Sequence, residues 1–228
     1  MSNGCDSVNN MNIETYEKIV HIIYEEHNKH VKKWINKQTK SYNLKKTCIC
    51  DVCFNPDNKK SINEEFKKYM DEYIYTLDSL YSNILERIYK ECNIFISGRI
   101  KNQDSIILKM YKKSNQDSGK FPIVKCLNDL LGFRIIDSQY SGNIENLIEC
   151  LDKIKVNGFR IKHLDRINGK YKAHHIYFQG IDNKSFPVEL QVWDLKNEKV
   201  NLKSHEAYKK EYTMWPYDYK NNLFERGE

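Results

Sequence analysis

The chain has 228 residues, of which 40% are apolar and 30% charged, and its formal net charge is +6. This length and balance predict a soluble globular protein with one substantial core, or one core with a helical appendage. No apolar run approaches the ~20 residues that cross a bilayer. The first residues lack the basic and then apolar pattern of a signal peptide, so we expect a cytoplasmic protein.

Two long helices are predicted in the N-terminal part. Residues 1–10 are polar and expected to be disordered. Apolar residues recur at helical spacing over Ile13–Trp34, which predicts the first helix. A loop is expected over Gln38–Ser61, which contains Asn-Pro-Asp-Asn. The second helix is predicted over Phe66–Ile88, where apolar residues recur every three or four positions.

The predicted loop holds Cys48, Cys50 and Cys53 in a C-x-C-x-x-C pattern. The chain has seven cysteines, and an odd number in a cytoplasmic chain argues against a disulfide framework. With Cys5 as a fourth thiolate, a zinc site is one interpretation, but structural zinc is usually held by two spaced pairs. Reduced or redox-sensitive thiols are the other interpretation, which the missing second pair favours.

Shorter elements follow Cys92. They are a strand at Asn93–Ile100, a helix at Asp104–Lys113, a mobile loop at Ser114–Lys120, a helix at Val124–Leu131, a strand at Phe133–Asp137, a helix at Ile144–Ile154, strands at about Phe159–Leu164, Lys172–Gln179 and Phe186–Trp193, and a closing helix at Lys199–Tyr212. This order predicts an α+β fold, a mixed sheet with helices packed against it. We divide the chain into a helical region (1–92), a sheet domain (93–212) and a tail (213–228).

Positive charge is concentrated in one part of the sheet domain. Between Phe95 and Arg134 there are eight Lys or Arg against three Asp, a balance of +5 within 40 residues. Such a concentration favours an anionic ligand, namely nucleotide phosphates, nucleic acid or a membrane surface.

Two carboxylates accompany these cations. Asp129 lies in the apolar stretch Leu127–Asp137, and Glu189 shares one face of its predicted strand with Gln191. Arg99 and Lys101 stand on alternate residues at a strand end, and three lysines follow at helical spacing, at Lys109, Lys112 and Lys113. Two carboxylates beside a cationic pocket suit Mg²⁺-dependent phosphoryl transfer, because the metal takes oxygen ligands and the cations offset phosphate charge. A helix cap with a surface ion pair is the alternative reading of Asp129 and Arg134.

The segment Gly169–His175, which lies between the two carboxylates in sequence, carries a tyrosine on a flexible basic loop, followed at alternate positions by Ala173 and His175. Its Tyr171 could stack on a base while neighbouring cations hold phosphates, which is worth ~1–3 kcal/mol per base. Taken alone this is a weak signal, because a tyrosine in a loop is more often simply exposed.

Four motifs in this order resemble the synthetase domain of the RelA/SpoT-type alarmone synthetases, specifically the small single-domain members. The pattern R-x-K then S-I-I is met by Arg99, Lys101, Ser105, Ile106 and Ile107. The pattern D-x-x-G-x-R is met by Asp129, Gly132 and Arg134. The loop N-G-Y-R-S-x-H is met loosely by Asn168, Gly169, Tyr171, Lys172, Ala173 and His175, with Lys170 inserted, and E-x-Q-I-R-T by Glu189, Gln191 and Val192. Their order and spacing across residues 94–212 are much more specific than any one motif.

The resemblance implies a nucleotidyltransferase-like sheet and a pyrophosphokinase that transfers the β,γ-diphosphate of ATP to the 3′-hydroxyl of GTP, GDP or GMP. Asp129 and Glu189 would be catalytic and bind Mg²⁺. ATP would be bound by Arg99, Lys101, Ser105, Lys109, Lys112, Lys113 and Arg134. The acceptor would be bound by Arg166, Asn168, Lys170, Tyr171, Lys172, His175 and Gln191. The resemblance also implies a synthetase without the hydrolase motif of the long members, and it leaves a homo-oligomer open.

The chain departs from the family pattern on the acceptor side. The arginine and threonine after E-x-Q-I are replaced by Trp193 and Asp194, and the acceptor loop is one residue longer. Two alternatives therefore remain. One keeps the chemistry but takes the 3′ end of tRNA as acceptor, as in toxic small relatives. The other is a non-catalytic nucleotide- or RNA-binding module, although a pure anion binder gains nothing from two buried acids.

Overall fold

The computed structural model describes residues 8–9, 11–54, 61–204 and 206. The helices are α1 (Ile13–Ile35), α2 (Glu64–Tyr75), α3 (Leu77–Cys92), α4 (Gln103–Ser114), α5 (Ile123–Cys126) and α6 (Tyr140–Val156). The strands are β1 (Val8–Asn9), β2 (Cys53–Phe54), β3 (Ser61–Ile62), β4 (Ser97–Ile100), β5 (Leu131–Asp137), β6 (Ile161–Asn168), β7 (Tyr171–Phe178) and β8 (Val188–Asp194). Within these ranges, no helix is both long and apolar enough to cross a membrane.

A six-stranded mixed sheet organises the molecule. Strands β5 and β8 are parallel neighbours, and β7 and β6 follow β8 as antiparallel strands. On its other side β5 pairs with β1 in parallel and with β4 in antiparallel orientation. Strands β2 and β3 form a separate two-stranded sheet. The predicted α+β fold with a mixed sheet is confirmed.

The two faces of this sheet differ because successive side chains on a strand point to opposite sides. One face is apolar and joins the main core, with Phe133, Ile135, Val188, Leu190 and Ile176. The opposite face carries polar groups at the alternate positions, with Gly132, Arg134, Glu189, Gln191 and His175. The register aligns these polar groups in rows, so the strands bring together residues that are far apart in sequence.

The N-terminal helices share their hydrophobic core with the sheet. Helix α1 begins after Asn12, whose side-chain oxygen accepts a hydrogen bond from the Thr15 backbone N–H at 2.9 Å. Nε2 of the buried His27 and the Tyr73 hydroxyl both donate to the carbonyl oxygen of Phe186, at 3.0 and 3.1 Å. These contacts attach the helices to the segment that precedes β8. The predicted first helix is confirmed, while the domain boundary at residue 92 remains a prediction.

The second predicted helix is wrong as a single element, because it is divided into α2 and α3 at Thr76. The Thr76 hydroxyl donates to the carbonyl oxygen of Tyr73 at 2.6 Å and lies 3.1 Å from Nε2 of His30. A threonine side chain that bonds the backbone of the preceding turn competes with helical hydrogen bonding. The apolar stripe continues through the break, which is why its periodicity predicted one helix.

The helix predicted over Val124–Leu131 is also too long, because α5 ends at Cys126. Leu127 leaves helical geometry with φ −106° and ψ 55°, and Asp129 lies in the irregular segment before β5. The Lys101 backbone N–H donates to the carbonyl oxygen of Leu130 at 2.8 Å, an interaction that continues the β4–β5 pairing. A long-range strand contact therefore overrides the local helical pattern.

The expected flexible loop around Tyr171 is instead a β-hairpin. Strands β6 and β7 are joined by Gly169 and Lys170 alone, and Gly169 has φ 57°, a conformation that favours glycine. Tyr171 is the first residue of β7, so its backbone position is set by the sheet.

Some expectations lie outside the described residues. These are residues 1–7 and 10, which include Cys5, the Asn-Pro-Asp-Asn turn, residues 205 and 207–212 of the predicted closing helix, and the tail. Residues 8–9 form β1, so the expected disorder is wrong for them, and the described residues of the predicted closing helix, 199–204 and 206, are helical. Cys48 and Cys50 are free thiols. No group of three or more His, Cys, Asp or Glu within the described ranges could hold a metal.

Candidate active site

Asp129 lies between two lysines that come from different elements. Its Oδ2 accepts a hydrogen bond from Nζ of Lys101, just after β4, at 2.5 Å. Its Oδ1 accepts one from Nζ of Lys109, on α4, at 3.0 Å. All three side chains are at most 16% exposed, and Nζ of Lys109 also reaches the side-chain oxygen of Asn128 at 3.4 Å. One carboxylate is thus shared by two largely buried cations.

This cluster has one more positive than negative charge. Burial alone would raise the pKa of Asp129, but the charges of Lys109 and Lys101 outweigh it and hold that pKa below its ordinary value. Burial lowers the pKa of Lys101 in spite of Asp129, because Lys109 and Arg99 add to the positive charge around it. An additional anion would offset this excess, so the cluster suits a phosphate.

The second carboxylate, Glu189, is 6% exposed and lies on the polar face of β8. Nδ1 of His175 lies 2.8 Å from its Oε1, and Nε2 of Gln191 donates to its Oε2 at 2.8 Å. Because a carboxylate only accepts hydrogen bonds, Nδ1 of His175 carries a proton and donates it. Glu189 is therefore oriented through both of its oxygens.

The environment of Glu189 favours its charged form. Burial raises its pKa, but the hydrogen bonds and charge of His175 and the hydrogen bond from Gln191 reverse this effect, and the pKa is lowered. The charge of Asp129 acts in the opposite direction, so the two carboxylates are close enough to repel each other. The space beside Glu189 is kept open by Gly132, its Cα partner on β5.

The hydrogen bonds continue from Glu189 to the hairpin. Nε2 of His175 lies 2.8 Å from the Tyr171 hydroxyl, which donates to it when the ring is neutral. The Tyr177 hydroxyl lies 3.2 Å from Nδ1 of His175 and accepts a 3.5 Å hydrogen bond from Arg166. Burial is the main cause that raises the pKa of both tyrosines, so both hydroxyls stay protonated. The predicted acceptor residues Tyr171, His175 and Gln191 thus converge on Glu189.

Arg134 lies next to this network, because its Cα partner on β8 is Gln191. Its guanidinium carbon is 3.7 Å from the ring centroid of Trp193, which is a close cation–π contact. Trp193 is fully buried, and its Nε1–H donates to Oε1 of Gln191 at 3.2 Å. An arginine and an indole therefore border the hydrogen-bond network of Glu189 on the side of Gln191.

A magnesium ion fits this donor set only with a substrate. Asp129 and Glu189 supply oxygen ligands, and Mg²⁺ is commonly bound by one or two carboxylates together with substrate phosphates and water. Both oxygens of Asp129 bond lysines. A phosphate group that draws the lysines toward itself would free the Asp129 oxygens to bind the metal.

The other predicted site residues are exposed or half-buried. Arg99 is exposed, although its Cα partner is Gly132, and Ser105 is half-buried near the start of α4. Nζ of Lys113 bonds the side-chain oxygen of Gln116 at 2.7 Å, and Lys112 is half-buried beside it. On the hairpin, Asn168 and Lys170 are exposed, and strand alternation places Lys172 on the face opposite to Tyr171 and His175.

Two participants were not predicted as site residues. Tyr177 follows Tyr171, Ala173 and His175 at alternate positions of β7, so a period of two would have found it. Trp193 was noticed only as a departure from a motif. Its stacking partner comes from another strand, so a single segment gives no signal for this contact.

A sequence profile described as "Region found in RelA / SpoT proteins" matches residues 98–213, about half of the chain. No curated protein matches the sequence significantly. Two similar solved structures are the crystal structure of small alarmone synthetase 1 from Bacillus subtilis and that of the same protein bound to AMPCPP. The first is 18% identical over 66% of this chain and 82% of that chain, with a TM-score of 0.40. The second is 16% identical over the same shares, with a TM-score of 0.36.

Proposed function

This chain belongs to the RelA/SpoT family, and we propose that it transfers the β,γ-diphosphate of ATP to the 3′-hydroxyl of a guanosine nucleotide (GTP, GDP or GMP). The product is a (p)ppGpp-type alarmone and AMP leaves. The observation that carries this proposal is the pairing of two carboxylates of different character. Asp129 is surrounded by cations that suit phosphates, whereas Glu189 is oriented by His175 and Gln191, which favour its ionised form and leave the carboxylate ready to accept a proton.

On the donor side, Lys101 and Lys109 bind the phosphates of ATP. Lys101 directly follows β4 of the sheet and Lys109 lies on α4, and their Nζ atoms meet at Asp129. Arg134 contributes a planar guanidinium that suits two phosphate oxygens at once. Arg99, Ser105, Lys112 and Lys113 extend the cationic surface outward.

On the acceptor side, Glu189 takes the proton of the attacking 3′-hydroxyl. The new bond joins the 3′-oxygen to the β-phosphorus, and the bond between that phosphorus and the α,β-bridging oxygen breaks. His175 and Gln191 hold the carboxylate in one orientation, which removes the cost of ordering it during the reaction. Tyr171 stacks on the acceptor base, while Arg166, Asn168, Lys170 and Lys172 stand on the hairpin beside it. Mg²⁺, held by Asp129 and Glu189, would neutralise charge on the transferred group.

One observation favours a second acceptor, the 3′ end of tRNA. The hairpin is exposed along Arg166, Asn168 and Lys170, so the acceptor side is open to a ligand larger than a nucleotide. Basic groups beside a stacking tyrosine also suit a single-stranded nucleic acid. A non-catalytic binding module is the third candidate, and the buried Glu189 argues against it.

One experiment separates these functions. The protein is incubated with Mg²⁺ and ATP labelled at the γ-phosphate, together with GTP, GDP, GMP or deacylated tRNA. We expect the label in a guanosine product that carries a 3′-diphosphate. Label in RNA would assign the tRNA reaction instead, and ATP binding without any transfer would leave only a binding module.

A further inference from the structure

Trp193 contacts Arg134 and Gln191 in different ways, and it also meets the ring of Tyr171 edge to face, with the ring centroids 6.0 Å apart. Its ring lies under the guanidinium of Arg134, and its edge donates a hydrogen bond to Gln191. The side chain is fully buried and packs with Ile136 and Ala173, with Tyr171 and Leu195 at the margin. The indole is thus held by the sheet, on the same face as Glu189.

The indole N–H decides how the amide of Gln191 is oriented. An indole nitrogen can only donate, so it selects the oxygen of the amide, at 3.2 Å. The amide nitrogen is thereby directed to Oε2 of Glu189, at 2.8 Å. Without the indole N–H, a turned amide would present its oxygen to the carboxylate. Trp193 is two steps from the carboxylate and acts on it through Gln191.

The indole face decides where Arg134 points. A separation of 3.7 Å between the guanidinium carbon and the ring centroid is close to direct stacking. The arginine side chain is long and loses much rotamer freedom when it binds a ligand. Stacking removes part of that cost in advance and holds the guanidinium on the polar face of the sheet, beside Gln191.

We propose that Trp193 is a positioning residue that orients Glu189 through the Gln191 amide and pre-places Arg134 for the ATP phosphates. The role of orienting Glu189 rests on the proposed function, because its test measures kcat. The role of pre-placing Arg134 is tested by binding of an ATP analogue and does not depend on the reaction. It assigns a role to a residue that stands where the family motif has arginine. The two roles use different parts of the indole, so substitutions can separate them.

Three variants test this separation. Trp193→Phe keeps an aromatic face but removes the N–H, so we expect kcat to fall about five- to tenfold, as for one lost hydrogen bond. The Kd of a non-hydrolysable ATP analogue should change less than about twofold. Trp193→Leu removes the aromatic face as well, so the analogue should bind about tenfold more weakly. In a Gln191→Ala background, Trp193→Phe should cost no further kcat, because the group through which it acts is gone.

Trp34→Phe is the matched control. Trp34 is also buried, at 4% exposure, but packs in the helical region against Tyr69 and Tyr73. It should reproduce the loss of thermal stability of Trp193→Phe without the kinetic effect. Equal kinetic effects in the two variants, additivity of Trp193→Phe with Gln191→Ala, or unchanged analogue binding in Trp193→Leu would each overturn the proposal.

A failure of the proposed function can be distinguished from a failure of the role assigned to Trp193. Wild-type protein that transfers no diphosphate to any acceptor would remove the proposed reaction. Calorimetric titration of the ATP analogue would still decide whether Trp193 places Arg134. If wild-type protein transfers diphosphate at the same kcat as Trp193→Phe, the reaction stands and the inference is wrong.

Discussion

Gly132 and Glu189 are Cα partners on the parallel strands β5 and β8, and a β-carbon on Gly132 would come 3.7 Å from Oε2 of Glu189. This is an ordinary van der Waals distance, so the site tolerates a methyl group. A longer side chain would occupy the space above the carboxylate.

Gly132→Leu should therefore reduce diphosphate transfer by about a hundredfold or more, because displacement of reacting groups by ~1 Å already has such an effect. Gly132→Ala should stay within a few fold of wild type. Steady-state transfer assays measure both. The matched control is Gly142→Leu in α6, where the added β-carbon has no atom within 4 Å apart from its chain neighbours and the backbone of its own helix. Equal activity in the two leucine variants would show that the space beside Glu189 is not used.

Asp129→Asn removes the charge that Lys101 and Lys109 share. We expect transfer to fall by about a thousandfold, comparable to the loss of a principal electrostatic group, and a similar loss for Glu189→Gln. Asp129→Asn should also unfold more easily at pH 7, because two buried lysines lose their counter-charge.

The pH dependence of that destabilisation has a definite sign. The pKa of Asp129 is lower in the folded than in the unfolded state, so its contribution is present above the ordinary carboxyl pKa of about 4 and is lost as the pH falls below it. Urea unfolding at pH 7 and at acidic pH checks this, with the exposed Asp78→Asn as control. A stability difference that did not shrink in acid would contradict the ion cluster.

Tyr171→Ala should raise the KM for the acceptor about tenfold and leave the KM for ATP nearly unchanged, because base stacking is worth ~1–3 kcal/mol. Tyr171→Phe keeps the ring and loses the hydroxyl with its contact to His175, so its effect on the acceptor KM should be smaller. Initial-rate measurements with either substrate varied separate the two constants. Tyr75, which is 86% exposed on α2, serves as an alanine control. An equal rise in both KM values would reject the stacking role.

The buried His27 should make the fold sensitive to acid. Burial is the main cause that lowers the pKa of His27 to about 3, and the charge of His30 is the second. Between that value and the ordinary pKa of about 6.5 the unfolded chain binds one more proton here, so stability falls as the pH falls, by about 1.4 kcal/mol per unit. His27→Gln should reduce this slope by about one proton, as measured by urea unfolding at several pH values.

The local sequence was sufficient to predict elements with a clear hydrophobic period and to find the motifs that carry charged residues. The 3.6-residue stripe of α1 and the alternation around Glu189 and Gln191 predicted the element and the face. The motifs around Asp129 and Glu189 identified two carboxylates with surrounding cations. Periodicity failed at Thr76 and after Cys126, where a side chain and a strand pairing compete with the helix.

The amino-acid sequence by itself determined the family, the α+β class and the residue types of the site, because these depend on short-range patterns and motif spacing. Only the tertiary structure decided which groups meet. The β5–β8 and β7–β8 registers bring Arg134, Gln191 and His175 into one row. They also place Trp193 under Arg134 and make Tyr171 part of a strand. Such contacts join segments tens of residues apart, and they are set by hydrogen-bond register and core packing rather than by any local preference.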